Sequence, residues 1–176
     1  MYFMLYKMAK LLARGMALLA GIVLIVVVVV TCASIIGRVM VPLNIGIGPF
    51  KGIYDFTEIA MAAAVFGFLP WCQINRGHAT VDLFAPMYPR RMNQVIDLLV
   101  DVGMFAVATI GAWRLYLGML DKLSYGETTL ILQAPVWIGY LCSLFGAVAF
   151  AIVAAFCVLR SARVIFGLQA EEGAHV

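Results

Sequence analysis

The sequence predicts an all-α membrane protein with four transmembrane helices, interfacial amphipathic segments and both termini on the cytoplasmic side. Three observations carry that prediction. Of 176 residues, 65% are hydrophobic and 12% charged, where a soluble domain has about 25% charged residues. The mean hydropathy is +1.04. The apolar residues also fall into four runs long enough to cross a bilayer, with all but one of the Lys and Arg outside them. Residues 1–176 read as one membrane domain with spans at about 16–36, 54–73, 95–117 and 134–159.

The first run, "MALLAGIVLIVVVVVTCASII" from Met16 to Ile36, has 21 residues and no charge. As a helix it reaches about 31 Å, the thickness of a bilayer core. It is too long for a buried strand and too long for the apolar region of a signal peptide. The residues before Cys32 are Val-Val-Thr, a poor cleavage or lipidation site, so the run reads as an uncleaved span. Lys7, Lys10 and Arg14 share one helical face, with Leu5, Met8 and Leu12 away from it. That pattern predicts that the first fifteen residues lie flat on the membrane.

The second span is followed by the polar stretch "QINRGHATVDLF", Gln73 to Phe84. The first two spans are joined by "VPLNIGIGPFKG" and the last two by "DKLSYGETT", both with the composition of loops. Lys7, Lys10, Arg14, Arg76, Arg90, Arg91, Arg160 and Arg163 fall on one side, and Arg38, Lys51, Arg114 and Lys122 on the other. The richer side is cytoplasmic by the positive-inside rule. Trp71, Trp113 and Trp137 fall near span ends, as an aromatic belt requires.

Lipid tails are as apolar as leucine, so helices in a bilayer associate through small residues that let backbones approach. The fourth span has such a stripe, Gly139, Ser143, Ala147, Ala151 and Ala155, and the second has Ala60, Ala63, Ala64 and Gly67. Two such faces predict a bundle packed with itself or with a larger partner. Gly139, Ser143 and Ala147 are the expected partner contacts. Pro70 offers no N–H to the carbonyl of Phe66 and should loosen the last turn of its span.

The charges set limits on chemistry. Asp55 and Glu58 open the second span, and Asp97 and Asp101 stand one turn apart in the third. Acids at a helix start suit the dipole, but Glu58 lies deeper, where a lone charge costs about 2.5–3.5 kcal/mol. Asp97 and Asp101 have no nucleophile or histidine near them in sequence, so no enzyme is expected. Haem needs axial ligands inside the bundle, and the two histidines, His78 and His175, fall in a loop and in the tail. No cofactor or metal is expected. Cys32, Cys72, Cys142 and Cys157 form no close pair and read as small apolar side chains. Basic residues are not clustered with aromatic platforms, so nucleic acid is not an expected partner. The first span has no acidic residue, unlike that of a small multidrug exporter.

One combination is more specific. "DFTEIAMAAAVF" opens the second span, and "FLPWCQINRGHATVDLF" closes it. Pro70-Trp71-Cys72-Gln73, Arg76-Gly77, His78 and Val81-Asp82-Leu83 resemble the pattern of the small membrane subunit of tripartite ATP-independent periplasmic (TRAP) transporters. Glu58 resembles that family's acidic residue early in the second span. "GAWRLYLGM" and "GETTLILQAPVWIGYLCSLFGAV" resemble its third-span end and the loop leading into its fourth span. The family often has an arginine soon after the acidic residue, where this chain has Met61 and Ala62. The resemblance implies a scaffold in the bacterial inner membrane. Its partners would be a large many-spanned subunit, which carries an organic acid-like solute with sodium, and a periplasmic substrate-binding protein. Glu58, Arg76, His78 and Asp82 would then join Gly139, Ser143 and Ala147 as partner-interface residues. The alternative reading is a membrane anchor subunit of an oxidoreductase that binds haem or quinone.

Overall fold

A computed structural model describes residues 2–40, 52–75, 77 and 90–165. They form four helices: α1 (Tyr2–Met40), α2 (Ile53–Ile74), α3 (Arg90–Tyr125) and α4 (Trp137–Ile165). All four are long and apolar enough to cross a membrane. The only pairing of β type among the described residues is an isolated bridge between Thr128 and Pro135.

The helices run past the predicted spans. α1 has 39 residues and α3 has 36, so each is over 50 Å long at about 1.5 Å per residue. Both must extend beyond a hydrocarbon core of about 30 Å. α1 is unbroken through residue 15, which differs from the expected flat segment. The physical reason is local packing: Ala9 and Ala13 are buried with Ile74 of α2 and with Val153, Phe156 and Cys157 of α4. Tyr6 stacks near Phe156 with ring centroids 6.1 Å apart, and Lys10 Nζ lies 5.8 Å from the Tyr6 ring centre. The first turns of α1 are therefore docked on protein.

Burial along α1 explains how its valine-rich run packs. Ala13, Ala20, Val27 and Ser34 are buried at intervals of seven, while Ile22, Ile25, Val28, Val29 and Ile35 are exposed. A seven-residue repeat of contacts is the signature of helices crossing at a shallow left-handed angle. Apart from Val27, the residues buried in this repeat are small, as close helix packing in lipid favours.

The helices lie in the order α1, α2, α4, α3, with α4 touching all three others and α3 packed chiefly on α4. α2 and α4 come together backbone to backbone. A Cβ on Gly146 would lie 2.7 Å from the carbonyl carbon of Phe66 and 2.9 Å from its oxygen. Those distances are below any real contact, so only glycine fits. The Phe66 carbonyl is also the one that Pro70, buried within α2, cannot serve with an N–H. The Cα–H of Gly146 points at this backbone, a weak but recurrent helix–helix contact. Gly67 makes the matching approach to α1, where an added Cβ would meet Ala20 at 2.9 Å.

The end of α2 is a defined stop. The Asn75 side chain donates to the Trp71 carbonyl at 2.9 Å, and the Gly77 N–H donates to the Cys72 carbonyl at 2.8 Å. The second bond is the six-to-one bond of a Schellman cap. The helix thus stops at Ile74, within the stretch where the sequence turns from apolar to polar.

Gly146→Ala should lower the thermal unfolding midpoint of the detergent-purified chain, since overpacking a tight contact costs about 1–3 kcal/mol. Gly111→Ala is the control. It also lies inside a helix but has open space around it, so it should leave the midpoint unchanged or raise it. Equal midpoints for the two variants would contradict the α2–α4 contact.

Candidate functional site

Three of the buried polar side chains among the described residues meet at one place. Asp101 of α3 is 5% exposed, and Gln73 of α2 and Ser161 of α4 are each 2% exposed. The Gln73 Nε2 donates to one Asp101 carboxylate oxygen at 3.1 Å, and the Ser161 hydroxyl donates to the other. The Cys157 thiol points at the Gln73 carbonyl, 3.8 Å away. One carboxylate therefore joins three helices. It also ties α3 to α2, two helices that otherwise meet mainly through α4.

The energetics of such a node are asymmetric. Interhelical hydrogen bonds in membranes contribute only about 0.6 kcal/mol each on average. Removing the shared acceptor is costlier, because two buried donors lose their partner at about 1–3 kcal/mol each. The node specifies which helices meet more than it strengthens the bundle. Asp97, one turn earlier, is half-buried.

A second carboxylate acts at the other end of the bundle. Asp55 stands in the first turn of α2 and accepts the N–H groups of Ile131 and Leu132 at 3.0 and 2.9 Å through one oxygen. Sequence alone reads Asp55 as a solvated helix-start acid; the structure shows it clamping the loop between α3 and α4. At the base of that loop Lys122 pairs with Glu127.

Glu58 is different. It is exposed on α2, on the same side as Met61, Ala62 and Val65, one and two turns on. Arg114 is also exposed, and no ion pair joins it to Glu58. Arg76, His78 and Asp82 lie outside the described residues.

The small-residue stripe of α4 divides. Gly139 packs on Ile59 of α2, where an added Cβ would lie 3.2 Å from the Ile59 side chain. Ser143 and Ala147 are buried at 3% and 2% exposure. Ala151 and Ala155 instead line an open apolar groove of about 710 Å³ beside Phe105, Thr109 and Trp113 of α3. The drift has a simple cause: each step of four residues overshoots a helical turn by about 40°. The small size of Gly139, Ser143 and Ala147 is thus used inside this chain.

Sequence reading missed Gln73 and Ser161 as partners of Asp101. A glutamine just inside the end of one span and an aspartate inside the next were the available signals, but nothing in the spacing says that they meet. Among the described residues, no group of three or more His, Cys, Asp or Glu could hold a metal.

A family model described as "Tripartite ATP-independent periplasmic transporters, DctQ component" matches residues 27–164, from the valine run of α1 to the end of α4. Comparisons with curated proteins and with solved structures gave no match. The oxidoreductase-anchor alternative has no support in these findings.

Asp101→Leu should destabilise the purified chain by about 2–6 kcal/mol, since it strands both buried donors. Asp101→Asn keeps an acceptor and should recover most of that loss. Thermal unfolding of both variants tests the node, and equal stability of Asp101→Leu and the parent would contradict it.

Proposed function

Because this chain belongs to the DctQ-component family of tripartite ATP-independent periplasmic transporters, we propose that it is the scaffold subunit of a secondary transporter in the bacterial inner membrane. In this reading it holds a large many-spanned subunit in place. That subunit imports an organic acid-like solute with sodium, and a periplasmic binding protein delivers the solute. Both termini and the segment around His78 face the cytoplasm, in line with the distribution of Lys and Arg.

Glu58 carries the proposal. It is a carboxylate on an outward, otherwise apolar face of a span, and leaving it to lipid would cost about 2.5–3.5 kcal/mol near the bilayer centre. A protein partner that offers a donor or a cation removes that cost. The groove between α3 and α4 is a second surface that a partner helix or lipid chains can fill, with Ala151 and Ala155 allowing close approach. Arg76, His78 and Asp82 brace the turn after α2 against the partner. Gly139, Ser143 and Ala147 support the interface from behind, by holding the bundle that presents Glu58.

The test is co-purification with the large subunit, measured beside solute uptake in proteoliposomes. Glu58→Lys should reduce recovery of the complex about tenfold or more, the equivalent of 1.4 kcal/mol or above, and uptake should fall with it. The chain's own unfolding midpoint should stay unchanged, because Glu58 is exposed. The chain reconstituted alone should move no solute. Full assembly of Glu58→Lys, or uptake by the chain alone, would contradict the scaffold reading.

A further inference from the structure

The first turns of α1 carry Lys7, Lys10 and Arg14, and all three are exposed. α1 contains no acidic residue, and the first in the chain is Asp55. The docking of α1 fixes where these charges point. At about 100° per residue, the three basic residues lie in a sector about 110° round from the docked Ala9, Ala13 and Ala20. A further turn of about 70° reaches Met4, Leu11 and Leu18, which are 69%, 72% and 61% exposed. Tyr6, between the docked side and the basic stripe, packs on Phe156 of α4, and Lys10 lies over its ring. The stripe therefore runs on the α4 side of α1. Arg160 is half-buried one turn beyond Phe156.

The level of the stripe follows from the run beside it. Met16 to Ile36 carries no charge and matches a bilayer core in length. At about 1.5 Å per residue, Arg14 and Lys10 stand about 3 and 9 Å beyond Met16, and Lys7 about 14 Å. The headgroup layer on one side of a bilayer is about 5–8 Å deep. The stripe thus begins inside that layer and ends at its aqueous edge. The apolar band continues onto the span as Ile22, Ile25 and Val29, which are 57%, 65% and 60% exposed. These side chains are large, whereas helices that pack together in a bilayer meet through small ones. The small residues Ala9, Ala13 and Ala20 of α1 are buried against its own chain. No ion pair of Lys7, Lys10 or Arg14 occurs among the described residues. Asp101 at this end is engaged by Gln73 and Ser161. Asp97 is half-buried on α3, a helix packed chiefly on α4.

We propose that Lys7, Lys10 and Arg14 form a binding stripe for acidic phospholipids. Their charges meet the headgroup phosphates, and the acyl chains lie along the band from Leu11 to Val29. Cations beside an exposed apolar band fit an acidic lipid on both counts. An acidic protein surface would match the charges alone. Because α1 is docked through Ala9 and Ala13 rather than lying flat, the stripe is held at one place on the bundle. Acidic lipid bound there steadies the α1–α4 end of the chain in the leaflet that it faces.

The test uses the full chain in nanodiscs with equal amounts of phosphatidylglycerol and phosphatidylcholine, one or the other carrying a photoactivatable diazirine on its acyl chains. Adducts on peptides that cover residues 4–29 are mapped by mass spectrometry. Phosphatidylglycerol adducts should exceed phosphatidylcholine adducts at least about fivefold, which is about 1 kcal/mol, the attraction of a single basic residue. Raising NaCl from about 0.1 to about 1 M shortens the Debye length from about 10 to about 3 Å and should bring the ratio close to one. Lys7→Gln, Lys10→Gln and Arg14→Gln combined should do the same at low salt, while Lys7→Arg with Lys10→Arg keeps the preference. Equal yields for the two lipids in the parent chain, or a preference that survives either the salt or the triple substitution, would overturn the proposal. In membranes of cells that express the protein, benzoylphenylalanine at position 11 should give phospholipid adducts. An adduct with another polypeptide there would overturn the proposal as well.

Discussion

At Gly146 the backbone of α4 comes against the backbone of α2 at Phe66, at a distance that leaves no room for a single added carbon. The rest of the arrangement follows from that approach. Hydrophobic burial in the aqueous sense is not available to drive the helices together, so contact depends on how near their backbones can come. α4 supplies Gly139, Ser143, Gly146 and Ala147 on its buried side, and α2 supplies Ala60, Ala64 and Gly67. Pro70 adds to this by leaving the Phe66 carbonyl without its helical donor at the contact. With α2 and α4 joined, α1 packs along α2 in its seven-residue repeat. Its first turns reach across to Phe156 and Cys157. α3 closes on the other flank of α4, through Ala108, Phe150 and Ala154. Asp101 then links α3 to both of its neighbours.

The carboxylates of this chain fall into two groups. Polar groups that hold the chain together, Asp101 with Gln73 and Ser161, and Asp55 with the loop, are engaged within the chain. Glu58 is exposed on α2, with no ion-pair partner among the described residues. Membership in the DctQ-component family agrees with such a division of labour, in which this chain is one component of a larger transporter.

Much of the fold was legible in the sequence, for reasons that are local. Apolar runs of bilayer length declare a span by composition alone, so the four helices could be read directly. The end of α2 could be read because the polar stretch from Gln73 follows an apolar span. Other features depend on how helices cross, which no single segment encodes. The stripe on α4 was visible as a pattern, but the chain's own use of Gly139, Ser143 and Ala147 depends on where α2 lies. Asp101 stood out as a charge in a span, yet Gln73 and Ser161 are 28 and 60 residues away from it in sequence. The valine run of α1 hid its repeat, since Val27 is buried and Val28 and Val29 are exposed with the same side chain. Lys7, Lys10 and Arg14 suggested an interfacial helix, and Ala9 and Ala13, equally visible, turned out to dock it.

The central claim is that α2 and α4 pack through small residues of this chain without help from a partner. Ile59 and Gly139 allow a direct measurement, because a Cβ at position 139 would lie 3.7 Å from that of Ile59, within the range for an unstrained disulfide. The double variant Ile59→Cys, Gly139→Cys is purified alone, oxidised mildly and searched by mass spectrometry for the 59–139 linkage, with the two single variants as controls for the native cysteines. The account predicts that the linkage forms in the isolated chain as readily as in the assembled transporter. A linkage that forms only in the assembled transporter would show that the partner imposes this packing, and would contradict the account.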